Sequence, residues 1–192
     1  MKHAKDIARF IDRGDYQETK EGLLIHGSLR ARGKYTHWVN DREDVRVDYN
    51  LIPTEGIAHV LNVVWGATAK VSTWYIAMIG GNVTPAATWT AANFATNATE
   101  VTSTTEGYSQ STRPVWTPGT VTSGVLDNVA SPATFSIVCT STLTFYGLAL
   151  LSSNVRGGTS GVLGSACRLD VARTLSNGDQ YKAEYEVELT DS

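Results

Sequence analysis

The sequence predicts an all-β chain, with a β-sandwich or jelly-roll-like body preceded by an extended N-terminal arm that carries a short helix. Three observations lead there. Residues 67–160 hold only six charged residues but nineteen threonines, with much Ala and Ser. Short apolar or alternating runs recur along that stretch, bounded by clusters of Gly, Pro, Asn and Ser. Residues 1–50, by contrast, hold ten of the sixteen Lys and Arg and nine of the nineteen Asp and Glu. The change falls near Pro53-Thr54-Glu55-Gly56, a turn-forming cluster, which divides an arm over 1–56 from a body over 57–192.

In the arm, Ala4, Ile7, Ala8 and Ile11 recur at helical spacing. Lys5, Asp6, Arg9 and Asp12 take the other face, and Gly14 stands where a C-cap belongs. The pattern predicts an amphipathic helix over residues 3–13. A helix this short is marginal alone in water, so its apolar face needs a surface to dock on. Residues 15–50 read as extended, with strand-like pieces at Gly22–Leu29 and Asp44–Tyr49. In the second piece Val45, Val47 and Tyr49 alternate with Asp44, Arg46 and Asp48.

The body opens at Ile57–Trp65 (IAHVLNVVW). Glu55 near its start favours a helix, while its β-branched content suits a strand, and the residues leave both open. Val71–Ile79 is β-branched and aromatic, apolar on both faces and closed by Gly80-Gly81, as a buried central strand requires. Loops are expected at Gly81–Thr90, Thr102–Arg113, Trp116–Gly124 and Ser152–Gly161. Ala133–Leu151 contains two strand runs divided near Ser141-Thr142. Cys167–Leu175 leads into Ser176-Asn177-Gly178-Asp179, whose Asn-Gly pair predicts a hairpin. On the returning strand Tyr181, Ala183, Tyr185, Val187 and Leu189 share one face. Lys182, Glu184, Glu186 and Glu188 share the other, a wet face whose acids oppose edge-to-edge aggregation. No fixed-period repeat appears, which argues against propellers and solenoids.

Composition removes several classes of function. A chain of 192 residues can bury a core without disulfide or metal staples, and a net charge of −3 does not suit binding of nucleic acid through overall positive charge. Cys139 and Cys167 are too few for a disulfide scaffold and lack zinc-ligand spacing. Met1-Lys2-His3 is not followed by an apolar stretch, so no signal peptide is expected. No apolar run reaches the ~18 residues of a transmembrane helix.

Catalytic patterns are equally sparse. Gly107-Tyr108-Ser109-Gln110-Ser111 and Gly157-Gly158-Thr159-Ser160-Gly161 both miss the G-x-S-x-G elbow, and the second lacks the Lys-Ser/Thr ending of a phosphate loop. His3, His26, His37 and His59 share no ligand spacing, and His59 reads as a core or interface residue. Both cysteines read as buried inert thiols. Glu184, Glu186 and Glu188 read as a solvated strand face rather than a cation site. Arg13-Gly14-Asp15 reads as a helix end, and the sequons at Asn82 and Asn97 carry no weight without secretion. Arg30, Arg32, Lys34, Arg42 and Arg46, interleaved with acids and with Tyr35, Trp38 and Tyr49, suit an arm that pairs with a protein better than a nucleic-acid strip. Trp38, Trp65, Trp74, Trp89 and Trp116 are explained by core packing and subunit contacts as well as by carbohydrate stacking.

One further pattern runs through the body. Trp74-Tyr75-Ile76-Ala77-Met78 is followed by Gly80-Gly81-Asn82, then by Pro85-Ala86-Ala87-Thr88-Trp89-Thr90-Ala91-Ala92-Asn93-Phe94. Glu106-Gly107-Tyr108, Thr112-Arg113-Pro114-Val115-Trp116, Tyr146-Gly147-Leu148-Ala149-Leu150-Leu151-Ser152-Ser153 and Arg156-Gly157-Gly158-Thr159-Ser160-Gly161-Val162-Leu163 complete the order. Over residues 57–192 this resembles a group of small virion proteins of tailed bacteriophages, with a general likeness added by Gly33-Lys34-Tyr35-Thr36-His37-Trp38-Val39-Asn40. The resemblance implies a β-sandwich particle protein of the head-decoration or cement type, with a tail, collar or connector protein as the alternative. It carries over no catalytic residues.

The expected function is therefore non-enzymatic. It is a virion structural protein, made in the bacterial host cytoplasm, that binds the outer capsid surface and stabilises the head. Its partners would be the major capsid protein or another virion protein and further copies of itself, with no membrane, no nucleic acid, no metal and no cofactor. Ile7, Phe10, Ile11, Arg30, Arg32 and Trp38 are the expected partner contacts, and a chain lacking residues 1–50 is expected to fold yet not bind. A carbohydrate-binding or hydrolytic β-sandwich using Trp89 or Trp116 is the reading from another class.

Overall fold

The computed structural model describes residues 16–19, 22–25, 29–42 and 44–191. Its body is two antiparallel β-sheets packed face to face. One sheet contains β3 (Leu29–Val39), β4 (Arg46–Tyr49), β6 (Gly107–Tyr108), β8 (Val125–Asp127), β9 (Ala133–Val138) and β12 (Gln180–Asp191). These run in the order β4-β3-β12-β9-β6, with β8 also paired to β12. The other sheet has the order β11-β10-β5-β7, built from β5 (Trp74–Ile79), β7 (Val115–Trp116), β10 (Thr142–Leu151) and β11 (Leu163–Ser176). Two helices, α1 (Thr54–Val64) and α2 (Ala91–Ala98), complete the body. Earlier in the chain β1 (Tyr16–Thr19) and β2 (Gly22–Ile25) form a separate two-stranded antiparallel sheet.

The main core lies between the sheets. Tyr35, Phe135, Tyr181 and Tyr185 come from one side, and Ile76, Met78, Phe145, Leu148, Cys167 and Leu169 from the other. The aromatics meet edge-on or tilted, with Tyr181 at 4.8 Å from Phe145 and 5.9 Å from Phe135, the geometry that ring quadrupoles favour. A second core covers the other face of the four-stranded sheet. There Ala77, Ile79, Ala149, Leu151, Leu163 and Ala166 pack under Trp89, Phe94 and Ala98. Strand β5 is buried on both faces, Ile76 and Met78 toward one core and Ala77 and Ile79 toward the other. That is why its sequence is apolar throughout rather than alternating.

Several expectations are corrected. The Asn-Gly segment does not close a hairpin, because β11 pairs with β10 while β12 pairs with β3, β8 and β9. The turn is tight all the same: Gly178 has φ +90°, and Ser176 N donates to Asp179 Oδ2 at 2.7 Å. It carries the chain from one sheet to the other, so that Leu175 and Tyr181 enter the same core from different sheets rather than pairing along a ladder. Strands β9 and β10 likewise belong to different sheets. Strand β12 is interior, so its acids guard no open edge, and Glu184 on the face expected to be wet is buried. The boundary expected at residues 53–56 also moves. Strand β3 pairs with β12 from Leu29↔Asp191 to Val39↔Tyr181, and β4 continues that sheet, so residues 29–52 belong to the body. The helix expected over residues 3–13 lies outside the described residues.

The segment left open between helix and strand is helical, Ile57–Val64 lying in α1 with Trp65 as its C-cap, and α2 was not anticipated at all. Its start is held by the return bond of a capping box: Asn93 Oδ1 accepts from Thr90 N at 2.8 Å, while Asn93 N donates to the Thr90 carbonyl at 3.2 Å. Asn in place of the usual Glu or Gln at that third position hides the signature.

Candidate functional site

The exposed large apolar side chains of the described residues are unevenly spread along the chain. Nine of the sixteen large hydrophobic residues exposed among the described residues fall between Val45 and Trp65. Val47 and Tyr49 stand on the outward face of β4, with Val45 just ahead of it, and Ile57, Val60, Leu61, Val64 and Trp65 on α1 and its end. Leu61 is 51% exposed and Trp65 72%.

Local chemistry explains why α1 presents this face. Its opposite face is held by Gly56, which is buried; a Cβ there would lie 2.6 Å from the Gly164 carbonyl oxygen. Glu55 Oε2 accepts from Ala91 N at 2.8 Å and from Leu163 N at 2.7 Å, which fixes the first turn to α2 and β11. His59 sits edge-on to Trp74 at 5.7 Å. Gly56, His59 and the half-buried Val63 therefore turn inward. The i, i+3, i+4, i+7 stripe of Ile57, Val60, Leu61 and Val64 is left outward, in water.

The outer face of the six-stranded sheet carries charge beside Val47 and Tyr49. The register sets Arg30, Arg32 and Lys34 opposite Thr190, Glu188 and Glu186, and Lys34 Nζ lies 2.9 Å from Glu186 Oε1. That pairing raises the Lys34 pKa. Arg32, Lys34, Tyr49, Glu186 and Glu188 line a shallow recess of about 130 Å³, well below the ~300 Å³ of a small-molecule pocket. Trp38, expected as a partner contact, is 4% exposed beneath the Arg42 guanidinium, which stacks 4.5 Å from its ring centroid. It lies on the outer face of the sheet, opposite Lys182, and is covered by the chain's own Arg42 rather than open to a partner. Glu184 is buried beside it, and burial raises its pKa against the opposing pull of Arg42.

Polar networks joining charged side chains also lie inside the fold. His37, with no exposed surface, bonds through Nε2 to Asp48 Oδ2 at 2.8 Å, while Arg173 Nε donates to His37 Nδ1 at 3.3 Å. Burial lowers the His37 pKa, so the ring is neutral, with its proton on Nε2 and Nδ1 as acceptor. Asp48 Oδ1 accepts from Asp170 N at 2.6 Å, and Arg173 also pairs with Asp44. The second network is the ion pair of Glu100 and Arg113, whose side chains have no exposed surface and meet at 2.7 Å. In the third, Arg156 caps the Tyr108 ring at 3.6 Å and donates to the carbonyls of Ser103 and Gln110. Each network joins strands or loops distant in sequence and presents no open nucleophile or acid–base pair to a substrate.

Among the described residues no group of three His, Cys, Asp or Glu side chains could hold a metal ion, and no helix is long and apolar enough to cross a membrane. Cys139 and Cys167 are buried free thiols, and burial raises the Cys167 pKa. Of the expected contact residues, Arg30 and Arg32 lie on the charged sheet face and Ile7, Phe10 and Ile11 fall outside the described residues. Sequence reasoning missed the α1 face as a surface, although its spacing was readable. No protein-family model matches the chain, and no curated protein sequence matches it.

Proposed function

We propose that this chain is a non-enzymatic structural protein of a bacteriophage virion, seated on the outer capsid surface as a decoration or cement protein. The single observation that carries the reading is the uncovered apolar stripe of α1, Ile57, Val60, Leu61 and Val64, which a protein working alone in water has no reason to keep. A β-sandwich with few charges and interior ion pairs supplies a rigid body for repeated contacts, and many weak identical contacts on a lattice multiply through avidity. The N-terminal residues Ile7, Phe10 and Ile11, with Arg30 and Arg32 at the root of the arm, contact the shell in this reading.

The test is co-sedimentation with purified shells that lack the protein. Saturable binding at a fixed ratio to the shell subunit, lost in a chain lacking residues 1–28, supports the proposal. Full occupancy by the truncated chain would overturn the role of the arm, and no binding by the intact chain would overturn the seat on the capsid.

A further inference from the structure

We infer that the outward face of α1 is a self-association surface, occupied by α1 of a second copy packed antiparallel across a two-fold axis. This deepens the proposal above by naming where copies meet. Reversal symmetry is the first support. In an antiparallel pair centred between Val60 and Leu61, Val60 opposes the second copy's Leu61, and Ile57 opposes its Val64. The four-residue stripe therefore meets itself in register, as an isologous contact requires. Trp65 extends the stripe at its C-terminal end.

Charge is the second. Residues 47–69 contain no Lys or Arg, and their only acids are Asp48 and Glu55. Asp48 is held by His37 and Asp170 N, and Glu55 by Ala91 N and Leu163 N. Two copies thus meet without bringing like charges together. The same absence disfavours other occupants. An anionic lipid surface would find no basic residues on this helix. The N-terminal stripe of Ala4, Ile7 and Ile11, flanked by Lys5 and Arg9, would find no free carboxylate.

Area sets the strength. A stable pair buries about 800 Å² per partner, more than one face of an eleven-residue helix provides. The pair is therefore weak and concentration-dependent in solution, becoming persistent where copies are held close together.

The experiment follows the full chain by light scattering across a concentration series, beside Leu61→Asp, with circular dichroism as a control on folding. The wild type should move from monomer toward dimer mass as concentration rises, and L61D should stay monomeric over the same range. Leu61→Cys should also be joined into covalent dimers by a short bis-maleimide, while Val121→Cys, 60% exposed elsewhere, should not. The native thiols are buried and stay silent. Should L61D fail to fold, the cross-link decides. A wild type that is monomeric throughout without a cross-link at position 61, or undiminished association in folded L61D, would overturn the inference. So would association that appears only after residues 1–15 are removed, which assigns the face to the chain's own N-terminal segment. A monomer still present on particles in fixed copy number would sink this inference and leave the virion proposal standing; a dimer absent from particles would do the reverse.

Discussion

Replacing Arg113 by Met should be among the most damaging single changes in the body. Arg113 Nε and Nη2 each donate to the Glu100 carboxylate at 2.7 Å, and Nη1 donates to the Ser153 carbonyl at 2.8 Å. Glu100 Oε2 also accepts from Gly157 N at 2.9 Å, so one pair ties together three loops at residues 100, 113 and 153–157. Removing the guanidinium leaves a carboxylate with no exposed surface and only a backbone N–H for company. Breaking a buried pair from one side costs about 3–5 kcal/mol. With m about 2 kcal/mol per M, the urea midpoint should fall by roughly 2 M at unchanged m. The double variant Glu100→Met/Arg113→Met removes the stranded charge as well. It leaves Ser153 O and Gly157 N near the surface, where water can replace the lost partners. It should therefore be more stable than Arg113→Met alone. Urea titrations of the four proteins form a double-mutant cycle. A loss under about 1 kcal/mol for Arg113→Met, or additive costs in the double variant, would refute the assignment of this pair as the clamp of the loop end.

Other consequences can be checked with purified protein. A chain lacking residues 1–28 should keep the near-UV circular dichroism of the intact protein, because β1 and β2 pair only with each other, whereas a chain lacking 1–50 loses β3 and β4 with buried Tyr35 and His37 and should not fold. Burial holds the His37 pKa below its ordinary 6.5, so below that pH the unfolded chain binds the proton more readily than the folded one. Stability is then full above about pH 6.5 and falls as pH drops through the interval below it. His37→Gln should flatten that part of the curve, although Glu184, whose pKa is raised, acts in the opposite direction at lower pH. Gly56→Ala gains about 1 kcal/mol of helix propensity, yet its Cβ meets the backbone oxygens of Gly164 and Leu163 at 2.6 and 3.0 Å; a lowered Tm is expected, and an unchanged or raised one would contradict this packing of α1.

Much of the fold was legible because it depends on local patterns. Alternation marked β4 and β12, and a doubly apolar run marked β5. What failed was pairing. Asn177-Gly178 specifies a tight reversal but says nothing about which ladder the outgoing strand joins, and that choice follows from packing Tyr181 and Tyr185 against Phe145 and Trp116. Residues 29–52 looked like an arm because exposed charges on the outer sheet face dominate their composition. The burial of Tyr35, His37 and Asp48 on the other side, and of Trp38 beneath Arg42, becomes visible only once β12 and β11 are in place. The buried networks were illegible for the same reason, since Arg173 reaches His37 across 136 positions. The α1 face was readable as spacing, but whether that face turns inward is settled by Gly56 against Gly164.

The central claim, that the chain is a building block of a particle, is tested most directly by its copy number per purified virion, measured by quantitative mass spectrometry. The account predicts copies in fixed proportion to the major capsid subunit. A few copies per particle would move the protein to the neck or tail, and its absence from particles would contradict the account.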